Sequence, residues 1–209
     1  SDFSGAERRY FRNALKITSS AVDCFNAASV HAVIQLGDII DGRNAQMGAS
    51  ESALRDVLQV LKRIQVPRFD LIGNHELYNF PRKDLPATGL SCLNADGLGY
   101  FSAHLGSHWE AIFLDPYEES LIGLGEEDPG YAKAKVVVGT HNPAVFNGAK
   151  DWFVGLPEDK HRYVPYNGAV SPAQLAWLKS ALQRAEAEQR KVLVFLHIPL
   201  YRPATKTKT

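Results

Sequence analysis

Cysteine is nearly absent from this sequence, since Cys24 and Cys92 are the only two among 209 residues. Two cysteines cannot build the disulfide framework of a small secreted domain, so we expect a reducing, cytoplasmic setting. Also missing is any apolar run that approaches the roughly 20 residues needed to cross a bilayer. The chain begins at Ser1 with neither an initiator methionine nor a secretory signal. These absences exclude a disulfide-rich scaffold and give no reason to expect a membrane partner.

Net charge is lacking as well. Lysine plus arginine total 23, and aspartate plus glutamate also total 23. Because no overall positive field attracts polyanions, we expect neither nucleic acid nor an anionic membrane as a partner. What the chain does have is a 45% hydrophobic and 22% charged composition. That composition is typical of a globular domain large enough to bury a core.

Hydrophobic periodicity predicts helices and strands in alternation. Three helices are predicted from apolar stripes and capping residues: 6–28, a helix from an N-cap at Ser50 to Pro67, and a helix capped by Ser171. Five strands are predicted from short apolar runs: His31–Leu36, Phe69–Ile72, Tyr100–Leu105, Trp109–Leu114 and Val192–Leu196. Residues 116–165 are rich in glycine, proline and charge, and predict a long loop with order only near Lys135–Val138. The alternation favours an α/β layered fold with right-handed crossovers.

Polar residues directly follow three of the predicted strands. Asp38 comes after the first strand and His197 after the last, and Asn74–His75 follow the second. Ligands of open α/β sheets bind outside the carboxyl ends of strands, so we expect these side chains to meet at one edge. Each residue alone has a plainer explanation. Asp38 and Asn74 are also typical turn or capping residues, and His197 is also typical of a hydrogen-bonded structural histidine.

The set as a whole is chemically coherent. It combines carboxylate and amide oxygens with imidazole nitrogen, which suits manganese, iron or zinc rather than a structural zinc bound by cysteine. Within it, His75 has the chemistry of either a ligand or an acid. Separate structural roles do not predict such an ordered set, so the sequence favours a metal site.

The motifs G-D-x-x-D-G at Gly37–Gly42 and G-N-H-E at Gly73–Glu76, with a later strand ending in His197, resemble the calcineurin-like metallophosphoesterase signature. Longer strings are similar to the manganese-dependent ADP-ribose/CDP-alcohol diphosphatases of that superfamily. These strings are ERRYFRNAL at 7–15, LGDIIDGRNAQ at 36–46, GNHELYNF at 73–80, YNG at 166–168 and HIPLY at 197–201. The resemblance covers nearly the whole chain, most weakly at 87–99 and 116–165.

The resemblance implies a layered fold of β-sheets flanked by helices and a site for two metal ions. It implies that Asp38 bridges the two ions and that Asn74 and His197 bind the second. The implied cofactor is manganese, with iron or zinc as alternatives. The implied reaction is hydrolysis of the phosphoanhydride bond of nucleoside diphosphate derivatives, such as ADP-ribose or CDP-alcohols, by metal-activated water.

The resemblance also implies roles for three neighbouring residues. His75 is implied to lie beside the scissile phosphate, where it stabilises charge and protonates the leaving group. Asp41 and Glu76 are implied to support the metal ligands from behind. Substrate-binding residues are not implied by any of the motifs.

The chain departs from the family pattern at both ends. The family fold begins with a strand ending in Asp-x-His or Asp-x-Gln, which is not found before Glu7, and it has a later Gly-His-x-His, which is not found before Thr209. Where the family has Asn-Gly-Gly, this chain has Ala169 as the third residue. We therefore expect residues 1–209 to be a single, incomplete metallophosphoesterase domain, inactive by itself, from an enzyme that is a hydrolase when complete.

Two alternatives stay open at the level of sequence. One is a phosphomonoesterase or nuclease of the same superfamily, because a metal site recognises phosphate rather than the group attached to it. The other is a non-catalytic metal-binding module.

Overall fold

The computed structural model describes residues 13–200, so the part of the first predicted helix before Asn13 lies outside the described residues. The α-helices are α1 (Ala14–Ala27), α2 (Arg43–Gln46), α3 (Ser50–Leu61), α4 (Asn74–Asn79), α5 (Pro129–His141) and α6 (Pro172–Ala187). The strands are β1 (Val33–Gln35), β2 (Arg68–Asp70), β3 (Phe101–Leu105), β4 (Trp109–Phe113), β5 (Glu119–Ser120), β6 (Gly168–Ala169) and β7 (Lys191–Phe195). No helix within residues 13–200 is long and apolar enough to span a bilayer.

The strands form three small sheets. In the first, β1 pairs in parallel with β2, in the register Ile34 to Phe69. In the second, β4 is central, antiparallel to β3 and parallel to β7, with Ile112 opposite Val194. The third is the short antiparallel pair of β5 and β6. The parallel pairs join strands that helices separate along the chain, as the predicted α/β alternation requires.

The first two sheets pack on each other through aromatic side chains. The Phe69 ring of β2 lies 4.9 Å from the Phe113 ring of β4, and Phe101 stacks on Phe113 at 4.7 Å. Phe113 is fully buried, and Phe195 of β7 stacks on it from the other side at 5.5 Å. Each buried ring removes a large apolar area from water, so this cluster is a main source of cohesion between the sheets.

Helices cover the sheets on their outer sides. Ala181 of α6 is fully buried against Ile112 and Leu114, on the face of β4 opposite the phenylalanine cluster. The apolar stripe of α3 packs with α1 and with the residues after β1, and its buried members are Leu54, Leu58 and Leu61. The layered α/β architecture predicted from the sequence is confirmed.

The predicted loop at 116–165 is wrong in part, although the order expected near Lys135–Val138 does lie within a helix. It contains β5 and the 13-residue helix α5. Asp128 caps that helix by accepting a hydrogen bond from the Gly130 N–H, and Pro129 occupies its first position. Aspartate followed by proline is a helix-start signal, which the high glycine and proline content of the segment obscured.

One other expectation differs in detail, and the fold accommodates the departure from the family pattern at residue 169. Ser50 is the first residue of α3 rather than its cap, and its hydroxyl donates to Asn79 Oδ1 at 2.7 Å. Ala169 has no positive φ and lies exposed in β6, so it fits without strain. The residue of this segment that must be glycine is Gly168, because a Cβ atom there would lie 2.3 Å from the Pro116 carbonyl oxygen.

Candidate metal centre

Two glycines allow three strand ends to meet. A Cβ atom at Gly37, after β1, would lie 2.5 Å from His197 Nδ1, and one at Gly73, after β2, would lie 2.4 Å from Asp38 Oδ1. His197 itself follows β7, which belongs to the other sheet. The expectation of one sheet edge is therefore corrected: two sheets packed face to face bring their carboxyl ends to a common crevice.

Asp38 is held by its backbone in an uncommon conformation. Its φ is +58°, directly after Gly37 at +94°. Aspartate tolerates the left-handed region better than most residues, and strain of this kind costs on the order of 1–3 kcal/mol. The turn aims the carboxylate at α4, where Oδ1 accepts a hydrogen bond from the His75 N–H at 2.9 Å. Asp38 is thus fixed at both its backbone and its side chain.

Glu76 joins the turn after β1 to the start of α4. Its buried carboxylate accepts three backbone N–H bonds: from Gly73 at 2.7 Å, from Asp38 at 2.8 Å and from Ile39 at 2.7 Å. Burial raises the pKa of the Glu76 carboxyl, the three N–H groups oppose that change, and the nearby Asp38 carboxylate adds to it. These bonds connect Glu76 to the backbone of Asp38, and its supporting role for the metal ligands remains a prediction.

Three electron-pair donors converge in the crevice. His197 Nδ1 lies 2.7 Å from the Leu36 carbonyl oxygen, which can only accept, so Nδ1 carries a proton. In the neutral ring the lone pair is then on Nε2. That nitrogen lies 3.2 Å from Asn74 Oδ1 and 3.6 Å from Asp38 Oδ1. When Nε2 carries no proton, these three atoms repel one another unless a metal cation lies among them; a proton on Nε2 would instead be donated to the two oxygens.

The donor set fits a divalent ion. Two atoms that bind one ion at about 2.1 Å lie roughly 3–3.5 Å apart, close to the separations found here. A carboxylate, an amide oxygen and an imidazole together suit manganese, iron or zinc. Within residues 13–200 no three His, Cys, Asp or Glu side chains form a metal-binding group. The converging set has only two side chains of those types, Asp38 and His197, and Asn74 provides the third donor.

His75 faces the same crevice with a proton rather than a lone pair. Its Nδ1 accepts a hydrogen bond from the Gly42 N–H at 2.9 Å, so the proton of the neutral ring is on Nε2. Nε2 lies 4.0 Å from Asp38 Oδ2, and about a third of the side chain is exposed. This arrangement suits a donor to a bound phosphate and does not suit a metal ligand.

Asp41 is less closely connected to the centre than the resemblance implies. It is exposed, and its carboxylate accepts the Arg43 N–H at 2.8 Å within its own turn. Its carbonyl oxygen accepts from Asn79 Nδ2, which also donates to the His75 carbonyl oxygen at 2.8 Å. Asp41 reaches the centre through this backbone link, and its supporting role remains a prediction.

Two tyrosines that were not predicted from the sequence lie beside the centre. The buried Tyr117 ring lies 6.2 Å from the His197 ring, and the Tyr78 ring lies 5.4 Å from the His75 ring. Burial raises the pKa of the Tyr117 phenol, and the Asp38 carboxylate raises it further, so it stays a neutral hydroxyl. The position of Tyr78 could have been predicted from the sequence, because Tyr78 lies four residues after Asn74 and therefore on the same helix face.

The fold and this centre define a class of protein. The calcineurin-like phosphoesterase family matches residues 8–208, and the chain belongs to that family. The predicted superfamily and fold are confirmed.

Particular relatives are similar over nearly the whole chain. The manganese-dependent ADP-ribose/CDP-alcohol diphosphatase of Homo sapiens is 33% identical over 98% of this chain, and that of Arabidopsis thaliana is 33% identical over 92%. A crystal structure of a dimetal phosphatase from Danio rerio superposes with a TM-score of 0.85 at 30% identity, over 96% of this chain. The chain spans 63%, 60% and 65% of the lengths of these three proteins, respectively.

Proposed function

We propose that the protein containing this chain hydrolyses the phosphoanhydride bond of small nucleoside diphosphate derivatives, such as ADP-ribose or CDP-alcohols. One observation carries the proposal: Asp38, Asn74 and His197 converge as electron-pair donors beside the His75 Nε2–H. A cation site next to a fixed hydrogen-bond donor suits attack of water on phosphorus. The names of the relatives support this substrate class.

Asp38, Asn74 and His197 would hold one manganese ion, and Asp38 is the ligand that a second ion would share. When bound, the two ions supply positive charge for the phosphate oxygens and make water a stronger nucleophile. Manganese is the metal in the names of the relatives, while iron and zinc suit the same donors.

The chain's own residues orient the donors and the substrate. Glu76 holds the Asp38 turn against α4, so the carboxylate needs no rearrangement when substrate arrives. The His75 Nε2–H would donate to a phosphoryl oxygen, where negative charge develops during attack. A preorganised donor at such a position typically contributes about 10²–10³-fold to the rate.

The proposed partner is a small nucleotide rather than a nucleic acid, because the net charge of zero provides no general attraction for a polyanion. A cytoplasmic location is proposed on the state of the thiols. Both Cys24 and Cys92 are free, and Cys24 is exposed, which fits a reducing compartment.

The test is hydrolysis by the full-length protein. ADP-ribose, a CDP-alcohol, nitrophenyl phosphate and a short DNA are each incubated with added Mn²⁺ and, separately, with chelator. We expect the two nucleotides to be cleaved fastest, only in the presence of metal. Faster cleavage of nitrophenyl phosphate or DNA would contradict the proposed substrate class.

A pair of histidine variants connects the activity to the centre. His197→Ala removes one donor and is expected to abolish the metal-dependent activity. The exposed His108→Ala, in the turn between β3 and β4, is the matched control and is expected to keep it. Equal activity in the two variants would show that the cleavage arises elsewhere.

A further inference from the structure

Gln35, the last residue of β1, bonds to the backbone of Gly37 at two points. Its Oε1 accepts the Gly37 N–H at 2.9 Å, and its Nε2 donates to the Gly37 carbonyl oxygen at 2.7 Å. A backbone N–H can only donate and a carbonyl oxygen can only accept, so the two partners together fix the orientation of the amide. The Gln35 carbonyl oxygen in turn accepts the Leu71 N–H at 2.9 Å, directly after β2. One side chain therefore ties Gly37 to the paired strands β1 and β2.

The turn that Gln35 supports has two consecutive positive φ angles. Gly37 is at +94° and Asp38 at +58°, a conformation that glycine adopts freely and aspartate only at some cost. Such a turn keeps its shape only where the surrounding contacts over-determine it. Glu76 provides part of that support by accepting the N–H groups of Asp38 and Ile39. Gln35 provides the part directly before Asp38, because it satisfies both polar groups of Gly37.

The position of Gly37 affects two donors of the crevice. The next residue is Asp38, whose Oδ1 lies 3.6 Å from His197 Nε2. The preceding residue is Leu36, whose carbonyl oxygen lies 2.7 Å from His197 Nδ1 and holds that ring. Gly37 also packs on the ring itself, since a Cβ atom there would lie 2.5 Å from His197 Nδ1. A shift of Gly37 would therefore displace both Asp38 and His197.

We infer that Gln35 is a positioning residue for the metal centre: its amide holds both polar groups of Gly37 and so keeps the donors of the crevice at the separations that a cation requires. The inference rests on the proposed function only in taking Mn²⁺ as the ion. Gln35 acts through the backbone of the turn rather than by binding the ion. Without its two hydrogen bonds the turn can relax from its positive φ angles, and the donors move apart.

The experiment measures Mn²⁺ binding to the full-length protein by calorimetry, without nucleotide. Gln35→Met keeps the length of the side chain, removes both hydrogen bonds and is expected to raise the dissociation constant about tenfold, as loss of a group behind a metal ligand does. Gln35→Glu keeps an acceptor for the Gly37 N–H but puts an oxygen against the Gly37 carbonyl oxygen. It should also weaken binding, although its added negative charge by itself attracts a cation.

Ile34→Val is the matched control for a loss of stability in the same strand. Ile34 packs against the phenylalanine cluster, so shortening its side chain destabilises the fold and leaves the bonds to Gly37 in place. This variant should bind Mn²⁺ as wild type does. Equal weakening in Ile34→Val and Gln35→Met would overturn the inference, because lost stability alone would then account for both.

Amide hydrogen exchange in the metal-free protein reports on the turn directly. Gln35→Met should speed exchange of the Gly37 N–H at least about tenfold, while the Leu71 N–H, which bonds to the Gln35 backbone, stays protected. Unchanged Gly37 exchange, unchanged Mn²⁺ binding in both Gln35 variants, or a wild-type protein that binds no Mn²⁺ would overturn the inference. Weakened Mn²⁺ binding in a protein that cleaves no nucleotide would support the inference and contradict only the proposed function.

Discussion

The backbone N–H of Gly42 donates a 2.9 Å hydrogen bond to Nδ1 of His75. A nitrogen that accepts this bond cannot carry a proton at the same time. The His75 imidazole is therefore neutral, and its Nε2–H is the donor that faces the crevice. Of the two roles implied by family resemblance, this contact favours stabilisation of phosphoryl charge. Protonation of the leaving group would require the Gly42 bond to break.

The role of His75 can be tested with two substrates in the full-length protein. His75→Ala should retain its metals and lose about 10²–10³-fold in kcat. Because charge on the phosphoryl oxygens develops with any leaving group, ADP-ribose and a nitrophenyl ester should slow by similar factors. A much larger loss with ADP-ribose would instead identify His75 as the proton donor, and loss of metal would identify it as a ligand.

The two aspartates of the first motif should differ sharply. Asp38→Asn removes the only charge in the converging donor set, so the purified protein should lose most of its manganese. Asp41→Asn changes an exposed side chain bonded within its own turn, so it should keep its metals and lose at most about tenfold in activity. Metal analysis of both variants is the measurement, and equal metal loss would contradict the assignment.

Gly73 should tolerate no side chain. A Cβ atom there would lie 2.4 Å from Asp38 Oδ1 and 2.8 Å from Glu76 Oε2. Gly73→Ala is therefore expected to weaken Mn²⁺ binding at least tenfold and to lower the free energy of unfolding by about 1–3 kcal/mol. Gly139→Ala is the control, since its nearest neighbour outside α5 would be the Phe146 ring at 3.6 Å, and it should be neutral or stabilising. Similar Mn²⁺ binding by the two variants in titrations would contradict the close packing at Gly73.

An ion pair remote from the centre gives a prediction about pH. Glu110 is fully buried on β4, and Arg184 of α6 donates to its carboxylate at 2.8 Å. Burial raises the pKa of the Glu110 carboxyl, but the bonds from Arg184 and Ser102 outweigh burial and leave it below its ordinary 4.5. A lowered folded-state pKa contributes stability above pH 4.5, which is lost as the pH falls through the folded value.

Two substitutions separate the partners of that pair. Glu110→Gln should remove this part of the acid sensitivity of unfolding. Arg184→Ala leaves a buried carboxylate unpaired and should lower the free energy of unfolding by ~2–3 kcal/mol at pH 7. This loss is smaller than for a fully buried ion pair because the guanidinium is half exposed. Urea denaturation between pH 3 and 7 measures both effects. An unchanged pH profile in Glu110→Gln would refute the assignment.

The convergence of Asp38, Asn74 and His197 was predictable from sequence because each follows a strand end, where open α/β sheets bind ligands. Their roles as metal ligands come from the family resemblance and remain a prediction. Five of the seven described strands were predicted to within one or two residues, since alternating and β-branched runs mark them clearly, whereas the two-residue strands β5 and β6 were not predicted. Ser171 was predicted correctly as the cap of α6, and it accepts the Gln174 N–H.

The contacts that decide chemistry were beyond sequence reasoning. His197 Nδ1 bonds to Leu36, 161 residues away, and this contact alone decides which nitrogen faces the crevice. No local pattern encodes a tautomer. The meeting of two sheets was missed because rings in both, such as Phe69 and Phe113, must pack before the strand ends align. For helix α5 the sequence predicted order only at Lys135–Val138, because the glycine and proline content of the segment obscured the Asp128–Pro129 start signal.

The most direct test of the central claim is to locate manganese in crystals of the full-length protein grown with Mn²⁺. Anomalous difference maps should show an ion within coordination distance of Asp38 Oδ1, Asn74 Oδ1 and His197 Nε2. An ion bound elsewhere, with these three atoms free of metal at saturating Mn²⁺, would contradict the account.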